Sequence, residues 1–308
     1  MAKTIDAGFA FFIYTMSKDL KNIISHLRFP FSIFLLPVFL FALSQAESIN
    51  VVNGLIIFLV LHFLVYPSSN GYNSYMDNDK ASIGGLKVPP EVPGIMFWVS
   101  FFVDVLALVI TYFFLNTVIA TLVLFYILAS RAYSYRGIRL KKHPVIGFLT
   151  VAVFQGPVIY MIVFLSVNNE LVWKQGYIMS LLISFLLIGA GYPLTQIYQH
   201  RQDKKDGVKT LSLLLGIKGT FVFSAILFAL LGVLMSLQLF LFQGSIANTI
   251  LFILLLFPVV VYFTRWMNKT FSNEKYADYE HTMGMNKTGA FAVNVFFLLL
   301  IFKSFLLP

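Results

Sequence analysis

Two polar rows interrupt an otherwise apolar sequence, and both present oxygen ligands at helical spacing. In the first, Ser69, Asn73 and Asp77 recur every four residues, and Asn70 stands three before Asn73. In the second, within "YPLTQIYQHRQDKKDG", Gln196, Gln199 and Asp203 recur at three and four. On a helix each row occupies one face. Such sets suit Mg2+, which takes one or two protein carboxylates and completes its octahedron with water and substrate phosphate oxygens. Cations fit for a diphosphate stand close by: Lys87, Arg131, Arg139, Lys141, Lys204, Lys205 and Lys209. Arginine grips phosphate bidentately, whereas lysine acts as a point charge. One polar row at the end of an apolar helix is usually a cap or a set of snorkelling side chains. Two rows of matching period, at corresponding places in two halves of the chain, define a candidate metal–diphosphate site.

The elements that position the rows follow from composition. Of 308 residues, 59% are hydrophobic and 11% charged, and the mean hydropathy is +0.84. A soluble protein carries about 25% charged residues, so the chain reads as an integral membrane protein. The absence of cysteine excludes disulfides, thiolate metal sites and a cysteine nucleophile. A membrane helix needs about 20 mainly apolar residues. Nine stretches qualify, near residues 30–46, 51–68, 95–115, 117–133, 145–167, 175–197, 218–242, 246–264 and 287–307. Backbone exposed to lipid must satisfy its own hydrogen bonds, so the expected class is all-α.

Charge sets the orientation. The N-terminus and the loops after even-numbered spans hold 20 of the 22 basic residues, all but Lys174 and Lys303. The positive-inside rule therefore predicts a cytoplasmic N-terminus and an outer C-terminus; the expected location of this multi-pass protein is a bacterial inner membrane. It also accounts for the net charge of +9 without a nucleic-acid partner. The apolar stretch from Ala7 to Met16 is short for a span and lacks a cleavage site, so residues 1–28 read as an interfacial segment. Both polar rows fall at cytoplasmic helix ends, after the second and sixth spans. This four-span period suggests one domain over residues 1–308, built from two four-helix pseudo-repeats plus a ninth helix, with both rows facing a shared cytoplasmic cavity.

These residues resemble the UbiA-type intramembrane prenyltransferase superfamily over essentially the whole chain. The family has nine transmembrane helices and two aspartate-rich motifs, after helices 2 and 6, which hold Mg2+ and the diphosphate of an isoprenoid donor. Its first motif, Asn-x-x-x-Asp-x-x-x-Asp, reads Ser69, Asn73 and Asp77 here; its second reads Gln196, Gln199 and Asp203, followed by "GVKT" from Gly207. The stretch "SRAYSYRGIRLKKHP" is similar to the family's helix 4–5 loop, which implies that Arg131, Tyr133 and Ser134 touch the donor diphosphate. Arg28 resembles a family arginine at the cavity mouth. The departures are specific: only the last aspartate of each motif remains, and Ser, Asn and Gln fill the earlier positions. Amide oxygens bring no charge, so metal is expected to arrive with the diphosphate; Asp79 and Asp206 are near enough to compensate.

The resemblance implies a cytoplasm-facing enzyme that ionises an allylic diphosphate at Asp77 and Asp203 and transfers the isoprenyl group to a hydrophobic acceptor. The 34 Phe, 15 Tyr and 3 Trp supply aromatic faces able to stabilise a cation. Two rivals stand beside it: a terpene synthase of the same superfamily, which closes the donor on itself, and a transporter. Transporter sites usually lie near the bilayer midplane, whereas these rows lie at helix ends. Asp104, inside the third span, is a candidate by position, lining the cavity or bonding a neighbouring helix. His200, within the second row, is the one histidine placed to act. The polar stretch from Asn273 to Gly289 reads as a cytoplasmic loop, either a cap over the cavity or a connector.

Overall fold

A computed structural model describes residues 17–168 and 176–306; the Ala7–Met16 stretch lies outside them. The described residues form helices α1 (Ser17–Phe34), α2 (Leu36–Ser44), α3 (Val51–Asp77), α4 (Met96–Phe114), α5 (Thr117–Ser134), α6 (Pro144–Val167), α7 (Tyr177–Lys205), α8 (Leu211–Phe242), α9 (Ile246–Ser272) and α10 (Tyr279–Lys303). From α3 onward eight are long and apolar enough to cross a membrane, and α1 with α2 makes a ninth, bent by 41°. The first span is thus broken where the sequence reading had it continuous. Pro30 and Pro37 lack the N–H groups that would carry a helix through, and Phe29–Phe34 winds instead as a 3-10 turn.

Side-chain caps set several starts. Asn50 accepts from Asn53 N at 3.1 Å, Thr210 from Leu213 N at 3.2 Å, and Ser245 from Asn248 N at 3.2 Å, each satisfying an amide without an intrahelical partner. Helix α10 begins at Tyr279, well before the expected 287, because Asp278 Oδ1 accepts from His281 N at 2.7 Å. The stretch read as a loop is therefore largely helical.

The helices that carry the polar rows are irregular just before the first row and within the second. Helix α3 widens into a π-turn at Val60–Val65, directly before Pro67. It then resumes as α-helix through Asp77 and stops at Asn78, whose φ of 50° is left-handed, a conformation asparagine tolerates at helix ends. Helix α7 tightens to 3-10 over Tyr192–Gln199, starting at Pro193, and returns to α-helix for His200–Lys205. Helix α6 has a π-turn at Phe154–Val158 around Pro157.

Lipid is as apolar as the side chains, so packing between these helices comes from close fit. The main core joins Phe41 of α2, Ile57 of α3, Tyr160 of α6, Ile183 of α7 and Phe297 of α10. At Gly156 a Cβ would lie 2.5 Å from the carbonyl oxygen of Ser184, so only glycine lets α6 and α7 meet there. Trp98, Phe102, Phe113 and Phe114 stand exposed on α4, an apolar outer face suited to acyl chains.

Candidate functional site

A cavity of about 780 Å³ runs between the helices, and both polar rows face it. Ser69, Asn70, Asn73 and Asp77 reach it from α3; Gln196, Gln199 and Asp203 reach it from α7; Asp79 and Asp206 follow just beyond each helix end. In the 3-10 turn, residues three apart eclipse, so Gln196 and Gln199 share a side before the α-helix brings Asp203 round to the same wall. Deeper along the helices the lining turns apolar, with Val151, Phe154, Leu187, Phe228, Leu231 and Val259.

A hydroxyl belt separates the two zones. Tyr133 and Tyr192 share a hydrogen bond between their hydroxyls, and Gln196 Nε2 donates to Tyr192 Oη at 2.9 Å. Tyr126, Ser69 and Gln155 line the cavity beside them. The sequence reading missed Tyr126, Gln155 and Tyr192. One signal was present: Gln155 is a lone amide in an apolar span, followed by Gly156 and Pro157, and irregular backbone within a span needs a cavity or protein around it.

The segment after α3 folds across the mouth. Ile83 and Leu86 exchange both backbone hydrogen bonds, each at 2.9 Å, and Gly85 turns with φ +84°. Phe31 packs beneath, close enough that a Cβ on Gly84 would stand 2.8 Å from its ring. Arg28 clips this turn to α3, donating from Nη1 to Gly84 O at 2.9 Å and from Nη2 to Asn70 O at 3.0 Å. It lines the cavity, and its Nε is buried without a partner.

The loop between α5 and α6 delivers the cations. Arg139 adopts a left-handed φ of 49°, and a 3-10 turn at Leu140–Lys142 follows. Lys141 and Arg139 both face Asp77: Lys141 Nζ pairs with Oδ2, and Arg139 Nη2 stands 3.6 Å from Oδ1. The Asp77 side chain is only 6% exposed. Burial pushes the neighbouring Asp79 carboxyl up to about 6, the Asp77 charge adding to the shift and Lys141 opposing it. Asn73 Nδ2 donates to Ser134 Oγ at 2.9 Å, tying the first row to α5.

Three expected donor contacts are not at the cavity wall. Arg131 points the other way: Ser130, Tyr133 and Ser134 take the cavity face of α5, and the helical turn sends residue 131 toward α3 and α4. There its Nε donates to Asp104 Oδ2 at 2.9 Å, its Nη2 donates to Ser68 Oγ at 2.8 Å, and it lies 4.0 Å over the Tyr72 ring. Asp104, 7% exposed, is therefore a helix-bridging carboxylate. A charge inside a span needs such a partner. Lys87 is exposed and paired with Glu280 at the start of α10. Lys209 is exposed beside Thr210 and does not line the cavity. His200 bonds Ser212 Oγ at 2.7 Å, which fixes the start of α8 rather than facing the cavity.

Among the described residues no three carboxylate or imidazole groups gather into a self-sufficient metal site. The second row still suits a cation shared with a phosphate. Asp203 accepts only a 3.4 Å contact from Thr210 Oγ1, and Gln196 Oε1 is buried with no hydrogen-bond partner. Asp77 differs in charge: Lys141 pairs with Oδ2, while Oδ1 accepts no hydrogen bond and has Arg139 Nη2 at 3.6 Å.

Helical spans thus enclose a cavity that is polar and charged at one end and apolar beyond. The chain belongs to the UbiA prenyltransferase family, whose model matches residues 34–279. Its fold is similar to that of a UbiA homologue from Archaeoglobus fulgidus bound to DMAPP and Mg2+, with 18% identity, TM-score 0.64, and 91% of this chain and 99% of that chain covered. The same homologue bound to GPP and Mg2+ aligns with TM-score 0.63 at 18% identity over the same shares. A digeranylgeranylglyceryl phosphate synthase aligns over 94% of this chain and 100% of its own, with TM-score 0.60 and 18% identity. No curated protein matches the sequence significantly.

Proposed function

We propose that the protein transfers an isoprenyl group from an allylic diphosphate to a hydrophobic acceptor, with Mg2+ bound alongside the diphosphate. The observation that carries this reading is that one cavity joins the two polar rows to an apolar depth. The diphosphate lies at the mouth, within reach of Arg139 and Lys141, and the prenyl tail extends past the tyrosine belt toward Phe154, Phe228 and Leu231. Mg2+ supplies Lewis-acid stabilisation of charge on the departing diphosphate. The protein groups hold that charge in a preorganised setting: Asp203, Gln199 and Gln196 orient the cation-bearing head, and Arg139 donates to phosphate oxygens.

The allylic C–O bond breaks with its electron pair leaving on the diphosphate. The acceptor's nucleophilic atom then bonds to the allylic carbon and loses its proton. The aromatic and aliphatic walls exclude water from the electron-deficient carbon, and the Phe154 and Phe228 rings can stabilise it. The basic loops bound the cavity mouth, and the positive-inside rule assigns that end to the cytoplasm.

The test is product analysis. Protein in detergent with Mg2+ is given dimethylallyl, geranyl, farnesyl or geranylgeranyl diphosphate, with and without a membrane-lipid and quinone-precursor extract. Prenylated product that appears only with extract supports the reading. A cyclised hydrocarbon or alcohol formed without extract would replace it with a terpene synthase, and unchanged donor under all conditions would refute it.

A further inference from the structure

At the cavity mouth the two motifs are not equivalent. Asp203 keeps its carboxylate open toward the cavity, whereas Asp77 is closed in by Lys141 on one oxygen and by Arg139 on the other. The earlier positions of the first row add no charge: Ser69 and Asn73 are neutral, and Asn73 is tied to Ser134. We propose that the Lys141 ammonium fills the place of a metal ion at the first row, so that the site takes a single Mg2+, on the Asp203 side. This rests on the diphosphate-binding function proposed above.

The lysine is held there by its backbone. Arg139 N donates to Tyr135 O at 2.6 Å and Lys142 N to Arg139 O at 2.9 Å, closing a tight turn through the left-handed Arg139. A non-glycine residue pays a steric cost in that region, so the turn is imposed by its surroundings. Helix α6 then seats directly on the turn. A Cβ on Gly147 would lie 3.0 Å from Lys141 Cα and 3.2 Å from Leu140 O. The Lys141 side chain is 12% exposed, and its charge acts on Asp79 and Asp203 as well as on Asp77. Lys141 thus sets a fixed, nearly buried cation against the one carboxylate of the first row, and its charge is also felt by Asp79 and Asp203. A compact ammonium with three donors can serve Asp77 and still meet a diphosphate oxygen.

The experiment counts metal. Purified protein is mixed with Mn2+ and geranyl S-thiolodiphosphate, an analogue whose C–S bond resists ionisation, and bound Mn2+ is counted by electron paramagnetic resonance. The expected result is one Mn2+ per wild-type chain, one in Lys141→Arg and two in Lys141→Met. Two ions on the wild-type chain, or one on both wild type and Lys141→Met, would overturn the assignment. The wild-type count stands even if a variant does not fold. Failure of wild type to bind the analogue with metal at all would remove the proposed function, and this inference with it.

Discussion

Asp77 and Asp203 close their rows at corresponding positions, but their neighbours differ, so losing either carboxylate should act through a different cause. Asp203→Asn removes the open carboxylate, and turnover of an allylic diphosphate should fall by about 100-fold or more, as when one preorganised charge-stabilising group is lost. Steady-state diphosphate release measures this, and near-normal turnover would sink the role given to Asp203. Asp77→Asn should also abolish turnover, by leaving the Lys141 ammonium and the Arg139 guanidinium beside each other without their shared counter-charge. The spacing of the rows was legible in the sequence because both helices stay helical through them. The partners of the cations were not. Nothing in "SRAYSYRGIRLKKHP" says that Arg131 turns to Asp104 while Lys141 turns to Asp77. That choice depends on which face of α5 meets α4 and on the turn that Arg139 makes.

At the scale of helices, spans three to five and most of the caps follow from apolar length and side-chain oxygens, and the sequence boundaries agree with the structure within a few residues. The breaks were less visible. Pro30, Pro157 and Pro193 lie in 3-10 or π segments and Pro67 follows just after one, yet hydropathy alone does not say which way a helix yields at proline. Close packing between α6 and α7 rests on Gly156. Gly156→Ala should destabilise the protein by about 1–3 kcal/mol through overpacking, read as a lowered unfolding temperature in detergent. The Asp104–Arg131 bridge among α3, α4 and α5 supports a larger prediction. Asp104→Ala leaves a guanidinium unpaired among apolar helices and should cost about 3–5 kcal/mol. Replacing both residues with apolar ones should cost less than that single change. Equal loss in the single and double variants would argue against the bridge as the cause.

At the scale of the molecule, every loop that bounds the cavity mouth belongs to the basic side of the chain, and the apolar exterior surrounds the rest. Because the chain has no cysteine, single cysteines report orientation without background. Lys87→Cys, at the mouth, should react with an impermeant thiol reagent only from the cytoplasmic side, and Ser245→Cys, between α8 and α9, only from the outside. The reverse pattern would overturn the orientation. In the proposed reaction one cavity binds the donor's diphosphate at its polar mouth and ionises it there. The most direct measurement is Mg2+-dependent diphosphate release from geranylgeranyl diphosphate, with a lipid and quinone-precursor extract as acceptor source, for wild type beside Asp203→Asn. Release that requires Mg2+ and is lost in the variant is the predicted result. Release independent of metal, or equal in the two proteins, would contradict it.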